Sequence, residues 1–197
     1  MQGKVEYYNK NKKEQWSPLI CHNDIVCGFW WFGRWYKTSR TETGEYFYGA
    51  YPLGFLPRIQ LFFNKEFKGR LLHLFSGTLK GDSKDVVTFD INPKLNPNVL
   101  GDAEKLSDYF VHGDKFNLIL ADPPYENNYI KYGTKKISRK KVINQCSKLI
   151  AKDGFLVWMD TLIPQWTKGD GWIYKGSIGI AQSTNHRVRA LTILQKD

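Results

Sequence analysis

Apolar residues in this chain fall into short continuous runs separated by polar, glycine or proline breaks. Arg70–Leu74 (RLLHL) is one such run and ends at Phe75-Ser76-Gly77. Val86–Ile91 (VVTFDI) is a second, stopped by Asn92-Pro93, and Phe116–Ala121 (FNLILA) a third, stopped by Asp122-Pro123-Pro124. Runs of this length suit parallel strands buried on both faces. Between Ser138 and Ala151 the period changes: Val142, Ile143, Cys146, Leu149 and Ile150 recur at helical spacing, with Ser138 placed to cap the start and Gly154 near the end. Phe155–Met159 then reads as a strand. Trp172–Ala181 and Arg187–Leu194 read as a hairpin turning at residues 183–186, and residues 58–67 as a short helix or strand.

Buried runs alternating with helical or connecting segments indicate an α/β fold. The expected sheet is Rossmann-like and mainly parallel, with a C-terminal antiparallel hairpin strand. Ahead of Pro57 the chain is dense in Trp, Tyr and Phe but broken by Gly28, Gly33, Gly44, Gly49, Gly54 and Pro52, and reads as irregular. The expected division is therefore an aromatic, basic N-terminal extension over residues 1–57, available for substrate binding, and a main domain over 58–197. In open α/β sheets, ligands sit beyond the carboxyl ends of the strands where the strand order reverses. This directs attention to Phe75–Gly77, Asp90, Asp102 and Asp122–Tyr125.

Composition narrows the function. With 197 residues, 42% hydrophobic and 15% aromatic, the chain can bury a core, which excludes disordered and collagen-like classes. A net charge of +10 and a pI near 9.4 favour polyanions, nucleic acid first. No apolar stretch approaches the roughly 20 residues of a spanning helix, and the start MQGKVEYYNKNKKEQW lacks a signal peptide's apolar core. The expectation is a soluble cytoplasmic protein with no membrane partner. Cys21, Cys27 and Cys146 suggest neither a disulfide framework nor a metal site, since Cys21, His22 and Cys27 lack zinc-ligand spacing and a second pair. They read as small buried hydrophobes.

Asp122-Pro123-Pro124-Tyr125 carries the chemistry. Each proline fixes its own φ and restricts the residue before it, so an acid, two prolines and an aromatic after a strand form a rigid turn. Such a turn can aim the Asp122 carboxylate and the Pro123 carbonyl at one spot beside the Tyr125 ring. Two acceptors beside a flat aromatic suit a planar amine such as the exocyclic amino group of a nucleobase. Accepting both its hydrogens draws the nitrogen toward a tetrahedral shape and frees its lone pair.

Leu120-Ala121-Asp122-Pro123-Pro124-Tyr125 resembles the catalytic motif of S-adenosylmethionine-dependent amino-methyltransferases, especially the DNA adenine enzymes with a DPPY motif. Other elements follow that family's order over about residues 70 to 195. Phe75-Ser76-Gly77 resembles its cofactor loop, Asp90 with Ile91 the acid ending its second strand, and Asp102 with Ala103 the contact to the cofactor's adenine. His73 and Leu79 stand where the family usually has an acid and a second glycine. The resemblance implies a class I methyltransferase sheet, S-adenosylmethionine as cofactor, and Asp122 in both cofactor and catalytic contacts.

Substrate contacts are expected from two segments. Residues 28–40 interleave aromatics with cations, among them Trp31, Arg34, Lys37 and Arg40, which suits bases and phosphates together. Asn128 and Tyr129, then Lys135, Lys136 and Arg139, follow the catalytic tetrad and face the same partner. No segment is large enough to be a recognition domain, so sequence preference is expected to be weak or short, or supplied by a partner subunit. The reading is a DNA adenine amino-methyltransferase, consistent with restriction-modification. Its alternatives are an RNA base amino-methyltransferase and a catalytically silent nucleic-acid-binding subunit.

Overall fold

A computed structural model describes residues 19–32, 51–52, 54–81, 83–125, 128–131, 134–182 and 188–197. Its strands are β1 (Leu19–His22), β2 (Ile25–Phe32), β3 (Leu71–Leu74), β4 (Val86–Asp90), β5 (Val99–Leu100), β6 (Phe116–Ala121), β7 (Ile150–Asp160), β8 (Trp172–Gln182) and β9 (Val188–Lys196). The helices are α1 (Phe55–Phe62), α2 (Asn64–Phe67), α3 (Asn128–Lys131) and α4 (Arg139–Leu149), with short 3-10 segments at Pro93–Leu95, Ala103–Tyr109 and Lys168–Asp170. No helix among the described residues is long and apolar enough to cross a membrane.

The strands form one nine-stranded sheet in the order β1-β2-β8-β9-β7-β6-β3-β4-β5. Pairing is parallel from β5 through β7, and β9 runs antiparallel between β7 and β8. This is the expected Rossmann-like sheet, mainly parallel, with its C-terminal antiparallel hairpin. From β3 the chain builds outward through β4 and β5, whereas β6 lies on the other side of β3 and builds toward β7. The strand order therefore reverses between β3 and β6.

Two apolar layers flank the sheet. On one face Leu72, Leu74, Ile119 and Trp158 pack with Val142 and Cys146 of α4. On the other, Leu71, Leu118, Leu120 and Val157 pack with Phe55 and Ile59 of α1. Burial on both faces explains why β3 and β6 read as unbroken apolar runs. In α4, Ser138 caps the first turn by accepting from the Lys141 N–H. The helix stops at Leu149, ahead of Gly154, because the chain passes directly into β7.

Two expectations need correction. Residues ahead of Pro57 are not all irregular: β2 alternates, with Trp30 and Phe32 buried and Phe29 and Trp31 exposed, and pairs parallel to β8. Apolar side chains on both faces hid that alternation in the sequence. Gly176 makes the junction. Its φ is +132°, and a Cβ there would lie 1.8 Å from the Val26 carbonyl oxygen, so glycine alone fits. The cysteines are not uniformly buried: Cys146 lies on the core face of α4, but Cys21 and Cys27 are exposed on β1 and β2.

Candidate active site

The reversal of strand order brings the ends of β3 and β6 together. Asp122 follows β6, and its N–H reaches the Leu74 carbonyl at 3.4 Å, which holds the tetrad against β3. Pro123 is buried, and Asp122, Pro124 and Tyr125 are half-buried. The Tyr125 hydroxyl donates to the Asp122 carboxylate. The Arg189 guanidinium, from β9, lies 4.6 Å from the centre of the Tyr125 ring. Beneath them, Tyr51 stacks on Phe55 at 4.8 Å, lies 5.9 Å from the His73 ring and donates to the Leu120 carbonyl at 3.4 Å.

Electrostatics set Asp122 apart. Burial pushes its carboxyl up to about 7, and the charge of Asp160 adds to the rise, while the Tyr125 hydroxyl and Arg189 oppose it. Burial and the nearby Asp122 charge push both Tyr125 and Tyr51 well above the ordinary phenol range. Tyr125 is therefore a neutral donor at physiological pH.

The loop after β3 turns sharply, with φ of +60° at Phe75 and +56° at Gly77. The Gly77 N–H donates to one Asp90 oxygen at 3.0 Å and the Asn92 N–H to the other at 2.9 Å, strapping the loop to the end of β4. Burial raises the Asp90 carboxyl despite these bonds. Ser76 is 2% exposed, and its Oγ has no hydrogen-bond partner among the described residues. Ile91, next to Asp90, is exposed. Asp102 caps the segment that starts at the buried Ala103, accepting from the Glu104 N–H at 3.0 Å and from Lys135 Nζ at 2.7 Å. Burial alone would raise its carboxyl, but Lys135 and that N–H hold it below the ordinary range.

The described residues among those expected to meet nucleic acid lie on different elements. Trp31 is exposed on β2, and Arg34, Lys37 and Arg40 lie outside the described residues. Asn128 and Tyr129 lie in α3, Tyr129 half-buried. Lys136 is exposed. Lys135 pairs with Asp102, and Arg139 turns inward to the fully buried Asp160 through Nε and, at 3.2 Å, Nη2. Asp160 also accepts from the Trp158 indole at 3.2 Å and the Thr161 N–H at 2.7 Å.

Three residues of the site escaped the sequence reading. Asp160 ends an apolar strand as Asp90 does, so the same signal was present. Tyr51 and Arg189 reach the tetrad from distant parts of the chain and carry no local signal. Among the described residues, no group of three or more His, Cys, Asp or Glu side chains is placed to hold a metal.

No protein-family model matches the chain, and no curated protein sequence does. Solved structures with a similar chain path include TrmN from Thermus thermophilus, at 13% identity and a TM-score of 0.45 over 66% of this chain and 44% of that one. The matched region thus spans less than half of TrmN. The N-methyltransferase NodS from Bradyrhizobium japonicum WM9, in complex with S-adenosyl-L-homocysteine, is 12% identical with a TM-score of 0.46 over 72% of this chain and 86% of that one. CalS10, an amino pentose methyltransferase from Micromonospora echinaspora with S-adenosylmethionine bound, is 11% identical with a TM-score of 0.42 over 72% and 88%. Each likeness is distant.

Proposed function

We propose that this chain is an S-adenosylmethionine-dependent methyltransferase that modifies the exocyclic amine of adenine in DNA, with little or short sequence preference. The observation that carries this reading is the Asp122 carboxylate at the β3/β6 reversal, hydrogen-bonded by Tyr125 under Arg189.

The residues around the β3 loop suit the cofactor. Asp90 accepts backbone N–H groups from Gly77, Asn92 and Ile91, and the acceptor capacity left on its carboxylate suits a ribose hydroxyl. Gly77 lets the backbone approach a ligand closely, and Ser76 Oγ is a buried polar atom still without a partner among the described residues. Asp102 and Ala103 would meet the cofactor's adenine end. When bound, S-adenosylmethionine supplies a methyl group on a sulfonium, already a good electrophile.

The chain's own work is alignment. Orientation of reactants is worth roughly 7–11 kcal/mol relative to the bimolecular reaction. Asp122 and the Pro123 carbonyl accept the two N–H groups of the target amine, which takes the place of the Tyr125 hydroxyl on the carboxylate. The Tyr125 ring, backed by Arg189, then flanks the base. As positive charge develops on nitrogen, ionised Asp122 stabilises it, and a carboxyl with a pKa of about 7 is matched to take up the proton the nitrogen sheds. A duplex substrate must surrender the base from its stack at a cost of a few kcal/mol.

The test incubates the protein and S-adenosylmethionine with unmethylated duplex DNA, single-stranded DNA or RNA, then analyses nucleosides by mass spectrometry. Methylated deoxyadenosine that is absent with Asp122→Ala supports the reading. Methylation confined to RNA transfers the assignment to an RNA base. Cofactor-independent nucleic-acid binding without methyl transfer would leave a silent binding subunit.

A further inference from the structure

The connection from β7 to β8 carries two aliphatic side chains that lie outside both apolar layers. Leu162 and Ile163 are 64% and 53% exposed, directly after the fully buried Asp160 and its neighbour Thr161. The chain on either side of them is held down. Asp160 accepts from the Thr161 N–H at 2.7 Å and from the Thr161 hydroxyl at 3.3 Å, and Pro164 is buried. Further on, Trp166 stacks on Tyr174 with ring centres 6.0 Å apart, and the buried Asp170 accepts from Asn144 of α4 at 2.7 Å. The Leu-Ile tip is thus anchored at both flanks, so covering it orders little further backbone.

Register places the tip beside the tetrad. β6 and β7 run parallel with Ala121 opposite Trp158, so Asp122 and Pro123 leave β6 at the level of Met159 and Asp160. Neighbouring strands lie about 4.8 Å apart. The tip therefore rises from the strand next to Asp122, at the same edge of the sheet.

Charge and position together define what covers it. Residues 161–169 contain no acid and one cation, Lys168. Arg139, the first residue of α4, bonds to Asp160, so that helix starts beside the tip, and Lys136, Lys140 and Lys141 near its start are exposed. Glu104 lies 3.8 Å from Lys141 Nζ, which leaves the local excess positive. Cations beside a rigid aliphatic tip suit a nucleic-acid duplex, with the lysines toward its phosphates and the tip between its bases.

We infer that Leu162 and Ile163 form a wedge that enters duplex DNA and fills the layer vacated by the extruded target base. The inference rests on the methyltransferase reading. Extruding a base bares the faces of its neighbours to water, and an aliphatic side chain inserted there covers them. A side chain centred in the vacated layer lies about 3.4 Å from each flanking base, close to the roughly 3.5–4.0 Å optimum for carbon contacts. In single-stranded DNA the target has no partner strand to leave, so the wedge contributes little.

The test compares kcat/KM of the full chain for methyl transfer to one DNA sequence presented as duplex and as single strand. Leu162→Ala and Ile163→Ala are each expected to lower the duplex value about tenfold and the single-strand value by no more than about twofold. A mismatch opposite the target, which eases extrusion, should restore most of the duplex rate. Ile173→Ala removes an aliphatic that is 45% exposed at the opposite edge of the sheet, and should change neither value. Equal losses on the two substrates, or no loss in either variant, with folding verified by melting, overturn the wedge while leaving the methyltransferase reading intact. So does a wild type confined to single strands, or a wild-type dimer that either variant converts to monomer. A wild type that methylates no polymer refutes the methyltransferase reading, and the wedge with it.

Discussion

Replacing Asp122 with asparagine removes an ionisation that the fold opposes. Burial raises this carboxyl from 3.8 to about 7, so between those values the folded chain holds a proton that the unfolded chain has released. Stability from this group is therefore fully present below about pH 4, falls as pH rises to about 7, and is flat above. At 1.36 kcal/mol per pH unit the whole fall is about 4 kcal/mol, of which about 3 lies between pH 5 and pH 8. The asparagine side chain is nearly isosteric with the carboxyl, can still accept the Tyr125 hydroxyl and does not ionise. Each kcal/mol moves Tm by about 2–4 °C in a domain of this size, so wild type should lose roughly 6–12 °C more than Asp122→Asn over that interval. Thermal unfolding of both proteins at the two pH values, followed by circular dichroism, measures the difference directly, because all other titrating groups are shared. Parallel pH dependences would refute the claim that Asp122 is held in a site hostile to its charge.

Other consequences can be checked separately. Methyl transfer should rise tenfold per pH unit below about pH 7 and level off above it, because ionised Asp122 is the active form; a pH–rate profile of kcat/KM with no limb near 7 contradicts this. Arg139→Met leaves the fully buried Asp160 carboxyl without its cation and should destabilise the fold by about 3–5 kcal/mol in denaturant melts. Asp90→Ala removes the acceptor for the Gly77 and Asn92 N–H groups and the proposed ribose contact, and should weaken cofactor binding at least tenfold by calorimetry.

The elements legible in the sequence are those whose pattern is local. β6 coincides with the FNLILA run, and α4 begins one residue after Ser138, because continuous burial and capping are both decided by neighbours in sequence. β2 was invisible for the opposite reason. Its buried Trp30 and Phe32 and its exposed Phe29 and Trp31 are all aromatic, so no polar position marks the outer face. What fixes β2 in place is Gly176, far along the chain, where a side chain would meet the Val26 backbone. The site divides similarly. Asp90, Asp102 and Asp122 each stand at the end of an element and were readable as acids in the right places. The capture of Lys135 by Asp102 and of Arg139 by Asp160 depends on tertiary approach, and a run of cations in sequence gives no sign of which will turn inward.

Asp122 beside Tyr125, at the point where the strand order reverses, is the centre of the functional account. The most direct measurement is mass spectrometry of nucleosides from DNA incubated with the protein and S-adenosylmethionine, run beside Asp122→Ala. Methylated deoxyadenosine is predicted from the wild type and none from the variant, although the variant still binds cofactor. Equal methylation by both, or no methyl on any polymer from a folded protein that binds cofactor, would contradict the assignment.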